Sequence, residues 1–390
     1  MKAEIQRPGE SRETKPAIRK ESGTPTPERP RASGTPLANP ETAMAAEFDA
    51  VMAGAAPPLA LAPMQDVTDR SFWALICRYG GADLYFTEYF RVYAGSHLDR
   101  SILRSVVDNP TGRPVVAQLI GNDIPELVRT ARELQRYPVA AIDLNLGCPA
   151  PVVYRKCAGG GLLREPDRVD AILRALRQAI GIRFTVKTRL GFETATEFAR
   201  LLEIFARHPL DLLTVHGRTV REMYRAPVCY EAIARAVRAV GCPVLANGNI
   251  ASAARALEVL RSTGARGLMI GRGAIRNPWL FEQIRQHWRG EPVRLPDGRQ
   301  VLDYVRCLME AASGPGSSER SRVARLKKHM NYLGIGVEPT GQFLHRIRRA
   351  ASEAEFLGIC ERFLDHDRPM ALEPFDLGLG PGDLMAEAQA

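Results

Sequence analysis

Residues 139–149 read VAAIDLNLGCP: a run of strand length that is apolar for most of its course, reaches Asn145, and breaks at Gly147-Cys148-Pro149. The same grammar recurs seven times, in PLALAPM (58–64), ADLYFTEY (82–89), PVVAQLIG (114–121), RFTVKTRLG (183–191), LLTVHGR (212–218), PVLANGNI (243–250) and GLMIGRGA (267–274). Stretches of helical period separate many of them, such as IPELVRTARELQRY (124–137), VDAILRALRQAI (169–180), TEFARLLEIFARH (196–208), YEAIARAVRAV (230–240) and SAARALEVLRSTG (252–264). Eight near-continuous apolar strands alternating with helices fit a parallel sheet covered by helices, either a (β/α)₈ TIM barrel or a doubly wound open sheet. Polar residues decide between them. They gather at the C-terminal ends of nearly all the runs: Gln65, Glu88, Gln118, Asn145, Lys187 with Arg189, His216 with Arg218, Asn247 with Asn249, and Arg272. An open sheet needs such residues near one switch point, whereas a barrel collects every strand end around one mouth. The fold class is therefore α/β, a TIM barrel.

The rest of the chain is organised around that barrel. Its 390 residues, 45% hydrophobic and 25% charged, allow one large and one small globular domain. Residues 1–55 are rich in Pro, Gly, Ser and Thr with little apolar periodicity and read as a disordered extension; a translation start nearer Met44 or Met52 is the alternative. The barrel is expected over 57–295, a small helical bundle over 296–367 and a flexible tail over 368–390. No run approaches the roughly 18 apolar residues of a spanning helix. Seven dispersed cysteines without a Cys-x-x-Cys pair suggest neither zinc nor disulfides, so a reduced, cytoplasmic monomer without metal is expected. A net charge of +9 favours an anionic partner without choosing among nucleic acid, nucleotide and membrane surface.

The strand ends suggest chemistry. Runs seven and eight finish in ANGNI and IGRGA, where barrels commonly build a phosphate site from glycine amides and a following helix; Asn247, Gly248, Asn249, Gly271 and Arg272 are the candidates. A flavin mononucleotide accounts for the other strand ends better than a sugar phosphate does. Its ring has a polar edge that takes amide or cationic donors, which Gln118, Lys187 and His216 offer. Cys148 stands at the strand-four turn, displayed at the catalytic face. With a pKa near its ordinary value of about 8.5, its thiol stays protonated at neutral pH and serves as a general acid. Cys157 lies in the following loop and is assigned no role.

In order along the chain, LAPMQDVTD (61–69), DLNLGCP (143–149) with the GGGLL that follows, VKTRLG (186–191), VHGR (215–218), NGNI (247–250) and IGRGA (270–274) resemble the tRNA-dihydrouridine synthase family over residues 57–365. The resemblance implies an FMN enzyme, reduced by NADPH or NADH, that saturates the C5–C6 bond of selected uridines in tRNA. It implies Cys148 as the donor of the C5 proton. It implies Pro63, Met64, Gln65, Gln118, Lys187, His216, Asn247, Gly248, Asn249, Gly271 and Arg272 at the flavin, and Asn145 and Arg189 at the uracil. Gln65 stands where the family commonly has an acid, so no charge-dependent role is carried to it. TEYFRV (87–92) resembles the bacterial subfamily acting on position 16.

Residues 320–349 hold eight Lys or Arg against a single acid, Glu338. Arg325, Lys328 and Arg346 are taken to represent a phosphate-tracking face for tRNA. The three glycines at 159–161 are expected to let their loop lie beside the RNA. Two rival readings remain: an FMN barrel acting on a free pyrimidine, as in dihydroorotate or dihydropyrimidine dehydrogenases, and an RNA-binding barrel without turnover.

Overall fold

The computed structural model describes residues 40–313 and 316–377. The greater part of the expected extension and the last part of the expected tail fall outside the described residues. Eight parallel strands form the barrel: β1 Leu59–Leu61, β2 Leu84–Phe86, β3 Val115–Ile120, β4 Ala141–Leu146, β5 Arg183–Arg189, β6 Leu212–His216, β7 Val244–Asn247 and β8 Gly267–Ile270. Each pairs with its sequence neighbour, and Leu59–Leu61 pairs with Leu268–Ile270 to close the ring. The second run ends earlier than the sequence suggests. After Phe86 the chain leaves the ladder, and Phe90–Arg91 returns as a two-residue strand beside Leu119–Ile120.

Side chains alternate along a strand, so one set from each strand faces the barrel axis. At the base these are apolar: Ala60, Leu84, Val116, Ala141, Leu212 and Leu245 belong to one buried cluster. Higher up, the same alternation brings Gln118 from β3, Asp143 and Asn145 from β4, Thr185 and Lys187 from β5, His216 from β6 and Asn247 from β7. The apolar layers fill the base, and the polar layers make the mouth.

Two expected boundaries change. Pro40–Ala53, assigned by sequence to the disordered extension, is a helix. Met44, Phe48, Val51 and Met52 fall on one helical face; Phe48, 1% exposed, packs with the apolar layer of the lumen and so plugs the barrel's N-terminal end. Arg183 Nε donates to Asp49 Oδ1 at 2.8 Å, and Arg266 holds the helix end through the Met52 carbonyl at 2.8 Å. At the other end, residues expected to belong to a flexible tail are anchored. Leu372 is 1% exposed, its carbonyl accepts from Arg276 Nε at 2.6 Å, and Phe375 N–H donates to the Ile335 carbonyl at 2.8 Å.

The helical region comprises Gly298–Ala312, Glu319–Leu333, Gln342–Ile347 and Glu353–Leu364. Asp297, Ser318 and Ser352 cap three of these helices by accepting backbone N–H groups that have no partner within the helix. Helix Glu319–Leu333 packs against Arg272–Arg276, the short helix that follows β8, which sets the bundle beside the mouth.

Candidate active site

The mouth is built on hydrogen-bond hubs contributed by neighbouring strands. Asn247 Nδ2 donates to the Met269 carbonyl at 2.8 Å, which fixes its amide so that Oδ1 faces His216 Nδ1 at 2.8 Å and Lys187 Nζ at 3.4 Å. Arg218 Nη1, an obligate donor, lies 3.3 Å from His216 Nε2. The imidazole therefore carries its proton on Nδ1 and accepts at Nε2. Burial, then Arg189 and Lys187, push His216 well below the ordinary histidine range, so the ring is neutral at physiological pH.

Cations crowd this site. Burial and Arg189 lower Lys187 to about 8; burial, Arg272 and Arg189 lower Arg218 to about 10; burial also lowers Arg189. Among the described residues Lys187, Arg189, Arg218 and Arg272 make no ion pair, and the nearest buried acid, Asp143, already accepts from Gln118 and Thr185. Mutually repelling, partly desolvated cations at one mouth call for an anion.

Around them the backbone takes conformations that suit close approach. Gly248 and Asn249 have φ of 132° and 48°, and a Cβ at Gly271 would meet Met64 Sδ at 3.0 Å. Arg272 Nη2 donates to Asn249 Oδ1 at 3.0 Å and its guanidinium lies 4.4 Å from the Tyr224 ring centroid. The helix after β8 has only five residues, so anion attraction here rests on arginines and glycine amides more than on a helix dipole. Met64 and Gln65 are half-buried on the loop after β1, beside Pro63, and Gln65 Oε1 is buried without a hydrogen-bond partner.

Cys148 sits in the turn after β4. Burial pushes its thiol up, outweighing the Ala150 amide, Arg189, Lys187 and Arg91. The expected near-ordinary pKa is thus corrected upward, and the group is more firmly a thiol. Asn145, assigned by sequence to the uracil, is engaged within the protein. Its Oδ1 accepts from Gly147 N–H at 3.0 Å and Cys148 N–H at 2.9 Å, and its Nδ2 donates to Gln118 Oε1 at 2.8 Å. Arg189 likewise braces the mouth, with Nε on the Gly147 carbonyl at 2.9 Å and Nη1 on the Thr219 and Met223 carbonyls at 2.8 Å each. One amide hydrogen of Asn145 is left for a substrate, and the rest of the Arg189 guanidinium lies beside Tyr224, 5.3 Å from its ring centroid.

The glycines at 159–161 do not face outward. All three are buried, and a Cβ at Gly159 would come within 3.0 Å of Cys148 Cβ and one at Gly160 within 2.8 Å of the Cys148 carbonyl. They let one loop pass beneath another and so support the thiol from below. Cys157 lies on that passage with φ of 51°.

The basic residues of the bundle divide. Arg325 pairs with Asp69, and Lys328 Nζ lies 3.4 Å from Asp66 Oδ2, so both reach the loop that carries Met64 and Gln65. Arg322 is held by Glu353 at 2.5 Å. Arg346 instead lines a groove of about 1280 Å³ with Gln342, His345, Arg349, Glu355 and Arg362. Asp143 and Tyr224 were given no role from sequence, and Arg218 was placed at the mouth without one. Asp143 had a signal, a lone acid two residues before Asn145 and hence on the same strand face; Tyr224, in an irregular loop, had none.

Residues 60–363 match the family model described as Dihydrouridine synthase (Dus). The chain belongs to the dihydrouridine synthase family. It is 32% identical over 311 residues to the tRNA-dihydrouridine(16) synthase of Neisseria meningitidis serogroup A, covering 78% of this chain and 93% of that one. It is 36% identical over 320 residues to tRNA-dihydrouridine synthase B of Yersinia pestis, covering 79% and 96%, and 35% identical over 323 residues to synthase B of Klebsiella pneumoniae, covering 79% and 96%. This dihydrouridine synthase is an oxidoreductase acting on uridine in tRNA, which removes both the free-pyrimidine reading and the barrel without turnover. Among its described residues no helix is long and apolar enough to cross a membrane.

Proposed function

We propose that the enzyme uses FMN, reduced by NADPH or NADH, to saturate the C5–C6 bond of a tRNA uridine, with Cys148 giving the C5 proton. The observation that carries the cofactor reading is the set of cations, Lys187, Arg189, Arg218 and Arg272, that make no ion pair among the described residues and surround a neutral His216. The residues present fit the group: Arg272, Asn249 and the amides at Gly248 and Gly271 for the phosphate, and Lys187, Gln65, Met64 and Pro63 for the ring, with His216 and Asn247 orienting Lys187 and the fully buried Gln118 supporting the layer beneath. Held there by these residues, FMN would supply hydride-transfer chemistry between the nicotinamide and C6 of the uracil.

The chain's own part is to place and protonate. Lys187 favours negative charge beside it, because an anion offsets the burial and the Arg189 repulsion that depress its pKa. The neutral His216 contributes a directed dipole, not a proton. As C5 gains electron density, Cys148 Sγ–H transfers its proton there and is left as a thiolate, which Arg189 and Lys187 both favour and which solvent reprotonates. Arg346 and its groove neighbours meet the tRNA backbone.

Cys148→Ala tests the assignment. The purified variant is expected to be yellow and to oxidise NADPH with oxygen as acceptor, while dihydrouridine formation falls at least roughly a hundredfold. Unimpaired dihydrouridine formation would remove the proton-donor role, and a protein that stays colourless with added FMN would remove the cofactor. The relatives carry two names, one specifying position 16, at comparable identity. Mapping dihydrouridine in tRNA from cells lacking the gene assigns the position.

A further inference from the structure

Beneath Cys148 runs a hydrogen-bonded chain whose lower members, Thr185, Asp143 and Gln118, reach no solvent. Thr185 Oγ1 donates to Asp143 Oδ1 at 2.6 Å, Gln118 Nε2 donates to Asp143 Oδ2 at 2.7 Å, and Asn145 Nδ2 donates to Gln118 Oε1 at 2.8 Å. Asn145 Oδ1 then accepts the Gly147 and Cys148 amides at 3.0 and 2.9 Å. Gln118 and Asp143 are 0% exposed and Thr185 1%. The direction of this chain is fixed at both ends. Backbone N–H groups can only donate, and the Asp143 carboxylate, which burial raises to about 6, is ionised at neutral pH and can only accept. The two amides between them therefore have one orientation each; turning either over would set donor against donor or acceptor against acceptor in a buried site.

We propose that Asp143 is a positioning residue: as the terminal acceptor it orients Gln118 and Asn145, so that Asn145 caps the Gly147–Cys148 turn and holds the thiol at the mouth. The strand register makes this possible. Gln118 lies opposite Asp143 and Asp143 opposite Thr185, so the three inward side chains form one rung across β3, β4 and β5, while Asn145 is the next inward position above it on β4. An apolar side chain at 143 would leave Gln118 Nε2 a buried donor without its carboxylate acceptor and hold the amides from one end only. The placement of a carboxylate in a dry layer, where it is costly, is explained by the polarity it imposes on the layer above. This inference rests on the reading of Cys148 as proton donor for its catalytic meaning, but the capping itself is measurable without substrate.

A charge transposition tests it. In Asn145→Asp, the oxygen that replaces Nδ2 faces Gln118 Oε1; Gln118 cannot satisfy carboxylates on both sides, and the cap weakens. In the double variant Asp143→Asn/Asn145→Asp, the amide now at position 143 donates to Gln118 Oε1, and Gln118 turns to donate to the carboxylate now at position 145. That carboxylate still accepts the Gly147 and Cys148 amides. Hydrogen exchange at those two amides, followed in the tRNA-free flavin-loaded enzyme, is expected to speed at least about tenfold in Asn145→Asp and to return to within about threefold of wild type in the double variant. Asn145→Ala, which removes the acceptor without adding charge, is expected to speed exchange to the same degree and covers the case in which Asn145→Asp does not fold. Unchanged exchange in Asn145→Ala, or failure of a folded double variant to recover protection, overturns the proposal. Lost protection with undiminished dihydrouridine formation would leave the cap standing and overturn its role in positioning Cys148 for catalysis.

Discussion

At the residue scale, Lys187 makes the sharpest statement about what the mouth binds. Burial and Arg189 hold it at about 8 in the flavin-free protein, against 10.5 for a free lysine. Between those values the unfolded chain binds the extra proton, so the flavin-free fold gains stability as pH rises through this window. An anion beside Nζ reverses the preference, and binding takes up a proton. FMN affinity is therefore expected to fall above about pH 8, roughly tenfold by about pH 9, and a fluorescence titration of the apoprotein measures it. In Lys187→Met that slope disappears. An affinity independent of pH across this window in wild type would place the lysine away from the flavin.

At the scale of elements, two segments act as fasteners. Helix Pro40–Ala53 closes the base of the barrel with Phe48, and Phe48→Ala is expected to cost about 3–5 kcal/mol, read as a lower urea midpoint at unchanged slope. A loss below about 1 kcal/mol would mean that the plug is dispensable. The second fastener is the seam between helix Glu319–Leu333 and the loop after β1, made by Arg325 with Asp69 and Lys328 with Asp66. Because that loop carries Met64 and Gln65, Arg325→Glu is expected to lower flavin retention as well as tRNA affinity, and adding Asp69→Arg to recover the flavin without recovering the tRNA. Flavin content per protein after dialysis distinguishes this from a purely RNA-facing arginine, whose reversal leaves the flavin in place.

At the scale of the whole molecule, the proposed function has tRNA lying across both the mouth and the bundle. Reversing charge at Arg346 and Arg349 is expected to weaken tRNA binding and to flatten its salt dependence by roughly one to two units of log–log slope, with flavin content unchanged. An unaltered slope would remove the groove from the binding path. The barrel and its catalytic end were legible from sequence because strand periodicity is local and eight polar strand ends needed a common address. The eight runs were found, although the second ended short. What escaped depended on contacts distant in sequence. Phe48 reads as part of a disordered tract until the lumen it plugs is known, although Met44, Phe48 and Val51 already kept helical spacing. Arg325 and Lys328 look like free cations until Asp69 and Asp66 are brought beside them. That Asn145 also caps the Cys148 turn is invisible until the Gly147 and Cys148 amides are found on its acceptor.

The central claim is that flavin reduced at this mouth delivers its electrons to a tRNA uridine while Cys148 completes the reduction. It is tested most directly by reducing the purified yellow enzyme anaerobically with one equivalent of NADPH, adding tRNA that lacks dihydrouridine, and following flavin absorbance and dihydrouridine content together. Wild type is expected to reoxidise with one dihydrouridine formed per flavin, and Cys148→Ala to form at least roughly a hundredfold less in the same time. Flavin that stays reduced in wild type in the presence of the tRNA, or reoxidises without forming dihydrouridine, would contradict the account.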